Sequence, residues 1–167
     1  MARPATPKLP VNKTLISEVL QRVSNAKTKD KKVAILQEYK TAALTKILLC
    51  NFAKSIEFVF PPGATPYKEN EAPKGVEHTM LITEHRMIDK FIKKTVNGIT
   101  YYGDSNGQRP SIQTLKKESL WIQILENLHA EEAELLDLVK DKNLTSRYKI
   151  TKQNVIDAFP ELRLQNE

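Results

Sequence analysis

Apolar residues recur along most of this chain at the three- and four-residue spacing that places side chains on one face of an α-helix. In the first 60 residues this spacing predicts three helices: one after Asn12 or Thr14, one after the polar break at 28–31, and one that starts near Thr41. Their inward faces are Leu15, Ile16, Val19, Leu20 and Val23 in the first helix, Val33, Leu36 and Tyr39 in the second, and Leu44, Ile47, Leu48 and Phe52 in the third. We therefore predict a three-helix unit in residues 11–60 whose apolar faces are buried against one another.

The pattern changes between residues 56 and 78. Residues 56–60 are rich in β-branched and aromatic side chains, which favours either a short strand or an extended segment. Residues 61–78 contain four prolines and two glycines, and this composition predicts a long loop without a regular element. Such a loop is either a ligand-binding loop or a strap that Tyr67 holds against the body of the domain.

Helical spacing returns after this loop. The apolar residues between positions 79 and 95 are spaced as in an amphipathic helix and predict a fourth helix there. The turn residues Asn97 and Gly98, directly before Ile99–Tyr102, favour a small β-hairpin.

Three further helices are predicted in the C-terminal third. Ser111 caps a long one whose buried face includes Leu115 and Trp121, with Trp121 as an anchor of the core. Another spans Ala130–Lys142, and its acidic start and basic end suit the helix macrodipole. The last runs over Thr151–Phe159 and is stopped by a proline, after which the chain is expected to fray.

These elements predict a mainly α fold, a single helical domain of about six helices with at most a small β-hairpin. The domain covers residues 11–167 and consists of a basic three-helix unit (11–60), a Pro-rich loop (61–78) and a helical remainder (79–167). Residues 1–10 contain three prolines, two basic residues and little to bury, and are predicted to form a flexible arm.

Hydrophobic content argues against a membrane protein. No apolar run approaches the roughly 20 residues that span a bilayer, and the N-terminal residues lack the hydrophobic segment of a secretory signal. We therefore expect no membrane partner and a location inside the cell that makes the protein. The single cysteine, Cys50, lies in an apolar run and is expected to be a small core residue rather than a reactive thiol.

Basic residues are concentrated in the N-terminal part of the chain. Residues 1–60 contain 11 Lys/Arg and 4 Asp/Glu, a net charge of +7, whereas residues 61–167 contain 15 and 16, a net charge of −1. Contacts with phosphates release counterions and supply affinity that does not depend on base sequence, so this asymmetry favours a polyanion such as nucleic acid as the partner. The alternative is a solvated face that only keeps the protein soluble.

The candidate nucleic-acid-binding residues come from two parts of the chain. The first group surrounds the turn between the first two helices and comprises Arg22, Lys27, Lys29, Lys31 and Lys32. The second comprises Lys149 and Tyr148, whose ring is expected to stack on an exposed base, within a basic run that also includes Arg147. Because Lys29, Lys31 and Lys32 are predicted to lie on an outer face or in a turn, their neutralisation is expected to leave the fold intact.

Motifs for catalysis and cofactor binding are missing. The chain has no GxxxxGK[ST], GxGxxG or GxSxG pattern, so neither a phosphate-binding loop nor a serine nucleophile is indicated. His78 and His85 with Glu84 form the best set of metal ligands, but no HExxH or paired CxxC accompanies them, and His129 fits the boundary between two helices better. We therefore expect a protein that is not an enzyme and has no catalytic residues, metal or cofactor, and a small hydrolase is the weakest alternative.

Several segments resemble one uncharacterised protein family. They are Leu120–Glu134 (LWIQILENLHAEEAE), Val139–Lys142 (VKDK), Tyr67–Pro73 (YKENEAP) and Ala158–Pro160 (AFP). In these segments the chain is similar to a family encoded by large contractile-tailed phages, notably marine cyanophages. The resemblance implies a viral origin and a location in the host cytoplasm during infection or in the virion, and it implies no activity or site residues.

Two functional hypotheses follow. The first is a non-enzymatic phage accessory protein that binds nucleic acid, or a nucleic-acid-processing complex of phage or host proteins, through the basic N-terminal third. The second is a structural or assembly protein of the virion head or neck, which contacts neighbouring subunits through the arm and the Pro-rich loop.

Overall fold

The computed structural model describes residues 11–73 and 79–166 of the chain. The helices of these residues are α1 (Ile16–Asn25), α2 (Lys29–Glu38), α3 (Ala42–Phe52), α4 (Leu81–Glu84), α5 (Thr114–Asn127), α6 (Ala130–Lys140) and α7 (Lys152–Ala158). The strands are β1 (Ile56–Phe58), β2 (Ile92–Val96) and β3 (Ile99–Tyr102). The prediction of a mainly α fold is confirmed, whereas the predicted arm, residues 1–10, lies outside the described residues.

Local side chains cap four of the helices. Thr28 and Thr41 accept the backbone N–H of the third residue of α2 and α3, at 3.2 and 3.1 Å. Thr151 and Asn154 form a reciprocal capping box at the start of α7. His129 precedes α6 and its Nδ1 accepts the N–H of Glu131 at 3.1 Å, so the prediction that this histidine marks a helix boundary is confirmed.

A residue distant in sequence caps α1. Its N-cap position is Leu15, which offers no side-chain acceptor, and the Ile16 N–H donates instead to Glu132 Oε2 in α6 at 2.8 Å. Glu132 Oε1 accepts the Leu81 N–H at the start of α4, at 3.1 Å. One buried carboxylate therefore supplies the acceptors for the first turns of two helices.

The N-terminal helices share their core with the C-terminal ones. α1 packs against α2 and α6, α2 packs against α7, and α3 packs against α6. Buried residues from all these helices belong to one hydrophobic cluster. The three helices predicted in residues 11–60 are present, but their faces are covered largely by the C-terminal helices rather than only by one another.

The three strands form one antiparallel sheet in the order β1-β2-β3. β2 and β3 are joined at Asn97 and Gly98, whose φ angles of 51° and 80° match the left-handed conformation that a two-residue hairpin turn requires. The predicted hairpin is therefore confirmed, and the undecided segment after α3 contributes β1, with Phe58 opposite Ile92.

The predicted fourth helix between residues 79 and 95 is wrong over most of its length. The α-helical part ends after Glu84, residues His85–Phe91 form 3₁₀ turns, and the chain then enters β2. Ile88 and Phe91 are buried and lie three residues apart, a spacing that suits 3₁₀ turns as well as an α-helix. The residues after Phe91 are taken into the sheet because β2 pairs on both sides, with β1 and with β3.

The predicted start of the long helix α5 is also wrong. α5 begins at Thr114, and the Ser111 N–H donates to Asp104 Oδ2 at 2.9 Å instead of Ser111 acting as its cap. Asp104 also forms a buried ion pair with Lys117 at 3.0 Å, which ties the preceding loop to the first turn of α5. Leu115, predicted to be buried, is 77% exposed. It lies six residues before Trp121, a spacing that places it on a different face of the helix from Lys117, Trp121 and Leu125.

The described part of the Pro-rich loop, residues 61–73, runs as a strap over α5 and α6. Thr65 receives a hydrogen bond from Trp121 Nε1 at 3.1 Å, and its N–H donates to Asp137 Oδ2 at 3.1 Å. Lys140 Nζ donates to the Gly63 carbonyl at 2.8 Å. These bonds favour the strap over the ligand-binding loop.

Trp121 lies at the centre of the core, as predicted. It is 2% exposed and its ring lies 5.2–5.6 Å from the rings of Phe58, Phe60 and Phe91.

Cys50 is buried, and burial raises the pKa of its thiol to about 12, so its role in the core is confirmed. The expected fraying is wrong at Leu164, which is fully buried. None of the helices in the described ranges combines the length and apolar composition that a membrane span requires.

Candidate phosphate-binding groove

A groove of about 1100 Å³ lies between the α1–α2 turn and the segment that leads into α7. Its basic wall residues are Lys27, Lys29, Lys32, Arg147 and Lys149. Its other wall residues are Gln21, Ser24, Asn25, Ala26, Thr145, Ile150, Thr151, Gln153 and Asn154. Among the described residues that line this groove, five are therefore basic and none is acidic.

Direct hydrogen bonds hold the two walls together. The Lys149 N–H donates to Ser24 Oγ at 2.9 Å, and Arg147 Nη1 donates to Gln21 Oε1 at 3.0 Å. Lys32 Nζ donates to the Lys149 carbonyl at 2.8 Å. The two basic segments predicted from the sequence, more than 100 residues apart, thus meet in one groove.

Lys32 stabilises this arrangement from inside. Its Nζ also donates to the carbonyls of Val23 at 2.9 Å and Ser24 at 3.3 Å, at the C-terminal end of α1. Carbonyls at a helix C-terminus have no intrahelical partner and carry partial negative charge, so an ammonium group is favourable there. Desolvation and the neighbouring Lys149 lower the pKa of Lys32. Lys32 therefore contributes positive charge to the groove while its three donors are engaged in the fold, which corrects the expectation that it lies free on an outer face.

Among the described residues, the ion pairs of the other groove cations are partly exposed or absent. Lys29 pairs with Asp157 at 2.8 Å and Arg147 with Glu134 at 3.5 Å, both between partly exposed side chains. The hydrogen bond from Lys29 lowers the pKa of Asp157. Exposed pairs of this kind contribute little to stability and exchange readily for another anion.

Lys27 and Lys149 differ from the other exposed cations of the groove in having no carboxylate partner in the described part of the chain. Both side chains are exposed, and no carboxylate among the described residues lies within ion-pair distance of either one. They are therefore the residues best placed to meet an added anion.

Arg22 and Lys31 lie elsewhere. They line a second depression of about 540 Å³, together with Glu38. This depression adjoins the groove at Asn25 and Ala26, which line both. A carboxylate in this wall opposes an anion. These two predicted residues are therefore not part of the groove.

The prediction that Tyr148 stacks on a base is wrong. Its side chain is 3% exposed, and burial raises the pKa of its hydroxyl to about 12. Burial alternates along this segment, with Tyr148 and Ile150 inward and Lys149 and Thr151 outward, as in any extended chain on a core surface. This two-residue alternation is visible in the sequence and could have assigned Tyr148 to the core.

The sequence reasoning did not select the neutral wall of the groove, and it left Arg147 out of the candidate residues. The neutral residues, among them Gln21, Ser24 and Asn154, carry no charge pattern that marks them. Lys140 and Lys142, two further basic residues shortly before Arg147, do not face the groove. Their Nζ atoms donate to the carbonyls of Gly63 and Ala53 at 2.8 and 2.6 Å.

The structure gives little support to a metal site at His78, Glu84 and His85. His78 lies outside the described ranges, and His85 Nδ1 is 3.2 Å from the Ile82 carbonyl of its own turn. Within residues 11–73 and 79–166 there is no group of three or more His, Cys, Asp or Glu side chains that could hold a metal ion.

Comparison with known proteins supplies a family but no activity. No curated protein and no solved structure shows a significant match to this chain. A family model described as a family of unknown function (DUF6433) matches residues 19–146. The matched range covers most of the chain, includes Lys27, Lys29 and Lys32, and ends directly before Arg147. The chain therefore belongs to this family of unknown function, DUF6433.

Proposed function

We propose that this protein is a non-enzymatic phage accessory protein that binds the phosphates of nucleic acid, alone or within a nucleic-acid-processing complex, in the groove between the α1–α2 turn and residues 145–154. The supporting observation is the composition of the described groove wall, which contains five basic residues and no carboxylate. Two of the five, Lys27 and Lys149, are exposed and form no ion pair with a described carboxylate. Leu120–Glu134 and the other quoted segments resemble the family encoded by contractile-tailed phages. This resemblance supports a phage origin and therefore a location in the host cytoplasm.

The chemistry of the groove supports binding rather than catalysis. Lysine and arginine side chains neutralise phosphates without reacting with them, and the counterions that they release supply affinity that does not depend on base sequence. The single thiol, that of Cys50, is buried, and burial raises its pKa to about 12, so it is protonated and unreactive near neutral pH.

Measurement of the salt dependence tests this function. A labelled 20-base-pair duplex is titrated with the protein at several salt concentrations, and the logarithm of the binding constant is expected to fall linearly with the logarithm of salt concentration. In the double variant Lys27→Gln/Lys149→Gln the slope is expected to decrease by about 2, because each lysine accounts for roughly 0.9 of the slope per contacted phosphate. Lys32 is left unchanged because its loss would disturb the groove itself.

A matched control separates the groove from the general charge of the protein. The variant Lys54→Gln/Lys116→Gln removes two exposed lysines outside the groove and is expected to keep the original slope. If the unmodified protein fails to bind even at low salt, or if both variants change the slope equally, the proposal is wrong. The charge is then a solvated face, and the virion hypothesis takes precedence.

A further inference from the structure

We infer that the groove selects double-stranded over single-stranded nucleic acid. This inference rests on the proposed function and adds the class of nucleic acid to it. Three features of the groove carry it: the absence of a stacking platform, the types of its neutral polar residues and the rigidity of its two basic walls.

Among the described residues that line the groove, none is aromatic. The residues outside the described ranges, 1–10, 74–78 and 167, contain no Phe, Tyr or Trp. Tyr148, the aromatic residue closest in sequence to the basic wall, is buried with Arg147 over its ring at 4.9 Å. Proteins that bind single strands without sequence preference obtain much of their affinity by stacking bases on aromatic side chains. This groove offers no such contribution.

The neutral polar residues of the wall carry hydroxyl and amide groups. They are Gln21, Ser24, Asn25, Thr145, Thr151, Gln153 and Asn154. Side chains of these types, together with Lys and Arg, make most protein contacts with phosphate and sugar. The wall therefore carries residue types that contact the phosphates and sugars of a nucleic acid.

The walls are also held in a fixed arrangement. Lys32, Ser24 and Gln21 each bond directly to residues 147–149 on the opposite wall. A rigid set of cations gains the most binding free energy from phosphates that are regularly and closely spaced. A duplex carries about one negative charge per 1.7 Å of axis and releases about 0.9 counterion per contact, against about 0.7 for a single strand.

The experiment compares each duplex with its own component strand. Labelled 20-base-pair DNA and RNA duplexes and the corresponding unstructured strands are titrated at 0.05–0.3 M salt, each with the unmodified protein and with Lys27→Gln/Lys149→Gln. For four contacting cations and equal affinities at 1 M salt, the duplex is expected to bind about sixfold more tightly at 0.1 M salt, with a salt slope steeper by about 30%. The double variant is expected to reduce that preference.

The outcomes separate this inference from the proposed function. If strands bind as tightly as duplexes, or more tightly, and the double variant still flattens the salt slope, the preference for duplex is wrong and the proposed function stands. If neither form binds, both are wrong. Tighter binding of at least one duplex than of its own strand, with a reduced preference in the double variant, supports the inference.

Discussion

Three lysines place their ammonium groups on backbone carbonyl oxygens rather than in solvent. Lys32 bonds to the end of α1, and Lys142 bonds to the Cys50 and Ala53 carbonyls at the end of α3, at 2.9 and 2.6 Å. Lys140 bonds to the Pro-rich strap at Gly63. A helix C-terminus presents unpaired carbonyls and partial negative charge, which an ammonium group satisfies well. The basic excess of this chain therefore overstates the charge that is available to a partner.

The buried carboxylate of Glu132 makes stability depend on pH. Burial raises its pKa from 4.5 to about 7, although the Leu81 and Ile16 N–H groups lower it. Between these pH values the unfolded chain has released a proton that the folded chain still holds, so this contribution to stability is lost as the pH rises. The free energy of unfolding is expected to fall by about 3 kcal/mol between pH 4.5 and 7, as measured by denaturant titration at several pH values.

Substitution of the carboxylate isolates this effect. Glu132→Gln is expected to be less stable than the unmodified protein at pH 4.5. Its free energy of unfolding is not expected to fall between pH 4.5 and 7. Glu131→Gln, an exposed neighbour in the same turn, is expected to retain it. An unchanged pH profile in Glu132→Gln would show that another group is responsible.

At the level of elements, the segment 85–96 shows how tertiary contacts override local pattern. Its apolar spacing fits a helix, yet β2 pairs with β1 and β3 and the preceding turns tighten to 3₁₀ geometry. The carbonyl of Asp89 in these turns lies directly against Gly103, whose N–H donates to the Ile92 carbonyl at 2.9 Å. The close approach of these two backbone segments requires a residue without a Cβ at 103.

Gly103→Ala is expected to lower the free energy of unfolding by about 1–3 kcal/mol or more. An added Cβ would overlap the Asp89 carbonyl oxygen, and backbone cannot rotate away as a side chain can. Gly107→Ala is the matched control, because its Cβ would meet nothing closer than Ser105 Oγ at 3.7 Å. Thermal unfolding of both variants tests this, and equal midpoints would contradict the close packing at Gly103.

On the scale of the whole molecule, the groove exists because residues 21–32 pack close to residues 145–154. α2 packs against α7, and the bonds from Lys32, Ser24 and Gln21 join this part of the molecule to residues 147–149. Lys32 contacts both the end of α1 and the opposite wall through the same atom, Nζ. It therefore acts as a positioning residue for the groove.

Lys32→Met is expected to lower the free energy of unfolding by about 1–3 kcal/mol, because carbonyls at the end of α1 lose a charged donor. Lys31→Met, one residue away and exposed, is expected to change it by no more than about 0.5 kcal/mol. Denaturant unfolding of the two variants provides the measurement. Equal stabilities would show that the Lys32 ammonium group is solvated, as expected for a residue on an outer face or in a turn.

Much of the helical architecture could be read from the residues alone. The faces of α1 to α3, the caps at Thr28, Thr41 and Thr151, and the burial of Trp121 follow from patterns that act within about four residues. The Asn97-Gly98 turn is equally local, because few residues other than asparagine and glycine tolerate its backbone angles. Such features depend on few distant contacts, and this is why the prediction of a mainly α chain is confirmed.

The remaining features depend on residues far apart in sequence. The cap of α1 comes from Glu132, the entry to α5 is held by Asp104, and the groove joins positions 21–32 to 145–154. The sequence shows where the charges are, but it does not show which lysines are used by backbone carbonyls and which face a partner. That division depends on which helix ends meet in the folded chain, because a carbonyl attracts an ammonium group only when packing brings the two together.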